Sequence, residues 1–194
     1  MTDAWPALPL ESWRETYATL HMWTQIVGKT RLALAPMENH WWQVALYVTE
    51  RGLTTSSMPA GDRTFAVEFD FLEHHLSVRA SDGVARTLAL APRSVADFYA
   101  DYLELLRSHG FEVKIWPVPV EVESSIRFPE DRTHASYDAE SATRLWRLLV
   151  RADRVLKRFR GRFRPAGTAA SSRSGFPPRC IGGSPSRPRS PTSP

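Results

Sequence analysis

Thr64-Phe65-Ala66-Val67-Glu68-Phe69-Asp70-Phe71 is the stretch that decides the fold. Four large apolar residues alternate with smaller or charged ones at a period of two, the pattern of a half-buried β-strand and not of a helix. Working outward, Leu76 to Ala80 and Val84 to Leu90 flank Ser81-Asp82-Gly83. An Asp-Gly pair between two such runs is a strong hairpin signal, because both turn positions tolerate positive φ. Upstream, the apolar residues of Trp42-Gln43-Val44-Ala45-Leu46-Tyr47-Val48 also alternate, Glu50-Arg51-Gly52 supplies a turn, and Leu53 to Ser56 pairs back. The centre of the chain is therefore expected to be an antiparallel meander of about four strands.

Helical periods lie on both sides of this centre. Residues 12–29 read as a helix, with Ser12 and Glu15 as a capping box and Gly28 near the end. Trp13, Tyr17, Leu20, Trp23 and Val27 form its apolar face, while His21, Gln25 and Lys29 fall on the polar flank. A second helix starts at Ser94, with Asp97 three residues on, keeps Val95, Phe98, Tyr99, Tyr102, Leu105 and Leu106 in register, and stops at Gly110. Phe111 to Trp116 reads as a further strand whose end Pro117 and Pro119 place at a sheet edge. Residues 117–137 are a long connection, either functional or packed over the core. Asp138 caps a third helix running to about Phe159. Its stripe of Leu145, Leu148, Leu149, Ala152, Val155, Leu156 and Phe159 is expected to face inward. The fold class that follows is α+β: an antiparallel β-meander packed against two or three helices, as a single domain over residues 1–163.

Charge divides the 194 residues unevenly. The net +4 arises from Arg160 onward, where seven arginines meet no acidic residue; the rest holds 18 Lys and Arg against 21 Asp and Glu. The basic pI thus belongs to the end of the chain, and the folded body is mildly acidic, which disfavours nucleic acid as a partner. The last 35 residues contain seven Pro, seven Ser, five Gly and seven Arg, without apolar periodicity, so residues 164–194 are expected to form a disordered tail. A single cysteine, Cys180, excludes an internal disulfide and a Cys-based zinc site. Met1 to Leu10 has neither a basic nor an apolar signal region, and no run reaches the ~20 apolar residues of a membrane helix. The compartment reading is cytoplasmic, with no membrane partner.

Particular wording carries a resemblance. Leu20-His21-Met22-Trp23-Thr24-Gln25-Ile26-Val27-Gly28-Lys29, Asn39-His40-Trp41-Trp42, Arg51-Gly52-Leu53-Thr54-Thr55-Ser56, Phe69-Asp70-Phe71, Ala96-Asp97-Phe98-Tyr99 and Phe159-Arg160-Gly161-Arg162-Phe163 resemble a bacterial family known only as a domain of unknown function, number 5996. The resemblance spans residues 5–163 and implies no activity, cofactor or catalytic residue. It also implies a continuation after Phe163 through a Pro-Val-His-aromatic stretch and a further strand, where this chain has Arg164-Pro165-Ala166-Gly167 and the tail. Back-translated and shifted by one frame, Arg179 to Gly183 can read Val-His-Trp-Trp, so the tail is expected to be a truncated or frame-shifted end. The competing reading is a basic arm for nucleic acid or an acidic membrane surface.

Three constellations carry chemistry. Glu68 and Asp70 share a strand face, with His74 and His75 just beyond, and carboxylates with imidazole suit a metal ion or acid–base work; a solvated sheet face ending in a turn is the plain alternative. His21, Gln25, His40 and Trp41 combine imidazole, amide and indole as the wall of a small-ligand pocket between the first helix and the sheet, over which Asp131, His134 and Tyr137 of the long connection could close; a polar flank and a packed corner use the same residues. Arg144, Arg147, Arg151, Arg154 and Arg158 line one face of the third helix, as an anion or partner face or as a charged solvent face. No Gly-rich phosphate loop, nucleophile elbow, His-Glu-x-x-His or Cys pair occurs, so neither a cofactor nor a reaction is named. Two functions remain: a small-ligand-binding or enzymatic domain with a pocket between the first helix and the sheet, and a protein-interaction module using the arginine face. Oligomeric state is not legible.

Overall fold

The computed structural model describes residues 5–122 and 125–162. The expectations about residues 164–194 lie outside the described residues. Helix α1 spans Arg14–Leu34, and strands β1 (Tyr47–Val48), β2 (Gly52–Thr54), β3 (Met58–Ala60), β4 (Arg63–Asp70), β5 (His75–Ala80) and β6 (Ala85–Ala89) follow. Helices α2 (Val95–Ser108) and α3 (Ala139–Arg162) complete the order. All strand pairs are antiparallel, in the order β1-β2-β4-β5-β6. β5 runs along one edge of β4, and β2 and β3 share the other. Between them Ser56 takes a positive φ, and the buried Thr55 repairs the gap: its amide donates to the Val67 carbonyl and its hydroxyl accepts the Val67 N–H at 2.9 Å. Gly52 opposes Asp70 so closely that a Cβ would lie 1.7 Å from the Phe69 carbonyl oxygen, a position only glycine can occupy.

The period-two reading of β4 is what the core uses. Phe65, Val67, Phe69 and Phe71 are buried together with Leu20, Trp23, Ile26 and Val27 of α1 and Phe98, Tyr102 and Leu106 of α2. Gly83, at φ +88, turns β5 into β6 as the Asp-Gly signal requires. Ser94 caps α2, accepting the Asp97 amide at 3.1 Å, and Asp138 accepts the Ser141 amide at 3.0 Å to start α3. The long connection is packed over the core: Phe128 is fully buried, and the Asp131 and His134 carbonyls accept the first two amides of α2.

Four expectations are corrected. α1 does not end at Gly28 but runs on to Leu34, and its start at Arg14 has no side-chain cap from Ser12. Gly28 instead lies inside the helix and faces the corner, where a Cβ would sit 3.4 Å from the Val44 carbonyl oxygen, an ordinary contact. Of the expected strand 42–48, residues 42–44 belong to a 3-10 corner, Asn39–Val44, and only Tyr47–Val48 joins the sheet. The buried Gln43 side chain accepts the Glu38 amide at 3.0 Å, a local bond that competes with ladder pairing. Phe111 to Trp116 keeps its alternation, with Phe111, Val113 and Ile115 against the core, yet pairs with no strand among the described residues. Finally, α3 buries only its first turns. Leu145 and Trp146 pack on the core, whereas Val155, Leu156 and Phe159 are 55%, 65% and 68% exposed.

The other face of β4 is not solvated. Glu68 and Asp70 are both buried, Glu68 between the Thr49 hydroxyl and the Arg79 guanidinium, Asp70 against Arg51. Asp70 also accepts the Leu72 and Glu73 amides at 2.8 and 2.9 Å. Burial alone would raise its carboxyl, but the Glu73 and Leu72 amides and Arg51 outweigh it and hold the group below its ordinary value of 3.8. A depressed carboxyl contributes stability that is complete above the unfolded pKa and is lost as pH falls through the native one. Asp70→Asn is therefore expected to cost about 2–3 kcal/mol at neutral pH, below the usual figure for a buried pair because Arg51 is partly exposed. In urea titrations the gap between wild type and variant should stay constant down to about pH 4 and shrink below it. A gap that widens in acid would contradict this account.

Candidate functional site

A cavity of about 740 Å³ opens between α1, the Asn39–Val44 corner and β2. The helix contributes residues at intervals of three and four, His21, Thr24, Gln25, Gly28, Lys29 and Leu32, because that spacing keeps side chains on one face. The corner contributes His40, Trp41 and Val44, followed by Leu46; β2 contributes Leu53, and the long connection Val120 and Glu121. His21, Gln25, His40 and Trp41 thus share one wall-to-wall space.

The Gln25 amide is committed to the protein. Its Oε1 accepts the Val120 amide at 2.9 Å, which fixes the side-chain orientation because a backbone N–H can only donate. Its Nε2 then donates to the Val120 carbonyl at 2.8 Å and to His21 Nε2 at 3.2 Å. An NH2 group cannot accept, so His21 Nε2 is the acceptor, and the neutral ring carries its proton on Nδ1. The same ring stacks on Tyr17, centroids 6.0 Å apart. Gln25 thereby holds the Val120 wall in place and orients His21. Thr24 is committed too, donating to the His21 carbonyl at 2.8 Å.

The opposite wall depends on unusual backbone. His40 and Trp41 have φ of 54° and 61°, consecutive left-handed residues without a glycine. Each such residue costs roughly 1–2 kcal/mol and persists only where the surroundings impose it. Here Trp41 N–H donates to the Glu38 carbonyl at 3.1 Å, Gln43 braces Glu38, and the buried Arg31 guanidinium of α1 donates to the Ala45 carbonyl while lying over the Tyr47 ring. Trp41 remains 56% exposed, its ring at the cavity and not in the core. Lys29 completes the site. Partial burial lowers its pKa, and no carboxylate among the described residues lies within ion-pair distance. Its place at four residues from Gln25 and eight from His21 was the available sequence signal. Val120 and Glu121, about a hundred residues away in sequence, gave none.

The remaining candidates lie elsewhere. Asp131, His134 and Tyr137 do not close over the cavity. His134 Nδ1 bonds Asp131 at 2.7 Å beside the start of α2, and Tyr137 stacks on Trp23 and bonds His74 Nδ1 at 2.9 Å. Glu68, Asp70 and His74 are not brought together as a ligand set, because Glu68 is taken by Thr49 and Arg79 and His74 by Tyr137. The potential ligand atoms that do cluster, within 4.8 Å of one another, belong to Asp70, Glu73 and His75, and Arg51 already bridges the two acids. On α3, Arg144 pairs with Glu140, while Arg147, Arg151 and Arg154 border a second cavity of about 610 Å³ with Pro6, Leu72 and Trp146; Arg158 lies on the exposed final turns. Cys180 is outside the described residues.

The left-handed corner has a direct test. Glycine meets no Cβ penalty at such a φ, so His40→Gly should be more stable than His40→Ala by about 1 kcal/mol in thermal or urea melts. Equal stability of the two variants would show that residue 40 does not adopt this conformation in solution.

No helix among the described residues is long and apolar enough to cross a membrane. Neither curated proteins nor solved structures offer a match to this chain. A family does match, over residues 5–170 and so beyond the end at 163 that the resemblance implied. With that extent of match, the chain belongs to the family of unknown function DUF5996.

Proposed function

We propose that this protein is a small-ligand-binding domain whose site is the cavity between α1, the Asn39–Val44 corner and the sheet. The observation that carries the reading is the pair His40 and Trp41, held left-handed at the rim of a space that His21 and Lys29 border from the other side. Ser56, His74 and Glu121 are left-handed singly, whereas His40 and Trp41 are so consecutively, and strained backbone clusters where a side chain must meet a ligand. The composition agrees: apolar walls with a few polar groups are what ligand cavities of this size share. A cytoplasmic setting is part of the same proposal.

The neutral fluorophore N-phenyl-1-naphthylamine tests it. Saturable binding to the full chain is expected, with Trp41→Ala weakening it about tenfold, in the range of a truncated aromatic anchor, while the melting temperature hardly moves. Absence of saturable binding, or binding indifferent to Trp41→Ala, would defeat the reading.

A second reading, an interaction module on α3, is favoured by the exposed Val155, Leu156 and Phe159 beside the arginine face. Contiguous apolar exposure of this kind marks contact surfaces. Under it, Leu156→Glu would abolish retention of a partner that Trp41→Ala leaves bound. The opposite pattern would return the function to the cavity.

A further inference from the structure

The polar groups around the cavity divide by what they can still do. Gln25 has both ends of its amide engaged, and Thr24 has given its proton to the His21 carbonyl. His21 Nε2 is engaged as an acceptor, which leaves its N–H at Nδ1. The Lys29 ammonium and the Trp41 indole N–H make no hydrogen bond with any described residue. The His40 ring adds one donor and one acceptor, so donors outnumber acceptors among the groups left on these side chains, and Lys29 is the cation among them.

No carboxylate among the described residues holds that charge, as is also true of Arg31, Arg86 and Lys114, but Lys29 alone of these borders the cavity. Arg51, Arg63, Arg79, Arg93 and Arg132 each hold a carboxylate within the folded body, and Arg31 donates to the Ala45 carbonyl and lies over the Tyr47 ring, whereas Lys29 has no such partner among the described residues. Partial burial disfavours its charged form, and no carboxylate among the described residues offsets this. Glu121 is the one acid among the described residues that borders the cavity; it is exposed, at φ +57, and not within ion-pair distance of Lys29. A lone acid at the rim opposes a second negative charge on an occupant, while one cation inside matches a single one. The other lining surface, Leu32, Val44, Leu46, Leu53 and the Trp41 ring, suits an apolar or aromatic body.

We infer that the cavity takes an apolar or aromatic molecule bearing one anionic group, a carboxylate or its chemical equivalent, with Lys29 as its counter-ion. This rests on the cavity being the binding site, and the experiment separates the two claims. 8-Anilino-1-naphthalenesulfonate is N-phenyl-1-naphthylamine with one sulfonate added, so the pair isolates the charge. Both are titrated into the full chain, into Trp41→Ala, and into Lys29→Met and Lys29→Arg, with thermal melts confirming that each variant is folded. Trp41→Ala should weaken both probes. Lys29→Met should weaken the sulfonate about tenfold, the size of one charge-assisted hydrogen bond, and change the neutral probe less than twofold. Lys29→Arg, which keeps the charge, should retain most of the sulfonate affinity. If Trp41→Ala weakens both probes but Lys29→Met weakens neither, or both equally, the anion preference is overturned and the pocket survives. If Trp41→Ala changes neither, the probes sit elsewhere, and both claims fall.

Discussion

Trp23 is the side chain on which the arrangement turns. It is fully buried, stacked on Phe98 of α2 at 4.6 Å and on Tyr137 of the long connection at 5.6 Å. One indole from α1 therefore fixes three segments that are far apart in the chain. Phe98 continues the stack to Tyr102, whose hydroxyl donates to Thr30 at 2.9 Å, returning the contact to α1 one turn from the cavity. Aromatic pairs of this geometry contribute about 0.5–1.5 kcal/mol each beyond the area they bury. Polar ties reinforce the same alignment, since Thr16 accepts the Asp138 amide and Thr19 the Ser136 amide.

With α1 aligned in this way, the cavity follows. The helix face opposite Trp23 meets the Asn39–Val44 corner, which Arg31 draws in through the Ala45 carbonyl and whose Val44 carbonyl lies against Gly28. The left-handed backbone at His40 and Trp41 is the local cost of turning the chain within so few residues and still leaving both side chains outside the core. Val120 closes the end through the Gln25 amide. The site is thus assembled from one rigid helix, one strained corner and one tethered loop, an arrangement whose precision comes from the helix and whose shape comes from the loops.

The second face of the sheet uses different physics. Two carboxylates, Glu68 and Asp70, are buried there and matched by Arg79 and Arg51, with Trp146 of α3 donating to the Thr49 carbonyl at 3.0 Å beside them. Such a face is polar by sequence and still covered, because each charge has a partner and each carboxylate accepts hydrogen bonds. Where that cover stops, the apolar stripe of α3 keeps its period, and Val155, Leu156 and Phe159 are exposed.

What the sequence determined by itself is the set of local elements. Alternation in Phe65, Val67, Phe69 and Phe71, the Asp-Gly turn at Asp82-Gly83 and the caps at Ser94 and Asp138 depend on neighbours within a few residues, so their meaning does not change with context. The shared face of His21 and Gln25 was legible for the same reason: four residues make one helical turn. Tertiary structure decided the rest. The alternating residues 42–46 and 111–116 carry a strand's pattern, but a strand also needs a ladder partner, and no local period specifies one. Gly28 reads as a stop, yet α1 runs through it to Leu34, and what it faces, the Val44 carbonyl, is set by the corner. Lys29 became conspicuous only when no carboxylate among the described residues was found within ion-pair distance of it, and Val120 joined the wall through bonds to a helix 95 residues away. A residue's propensity is a property of its own bonds; what faces it across a cavity or a sheet is set by segments whose distance along the chain carries no record of their distance in space.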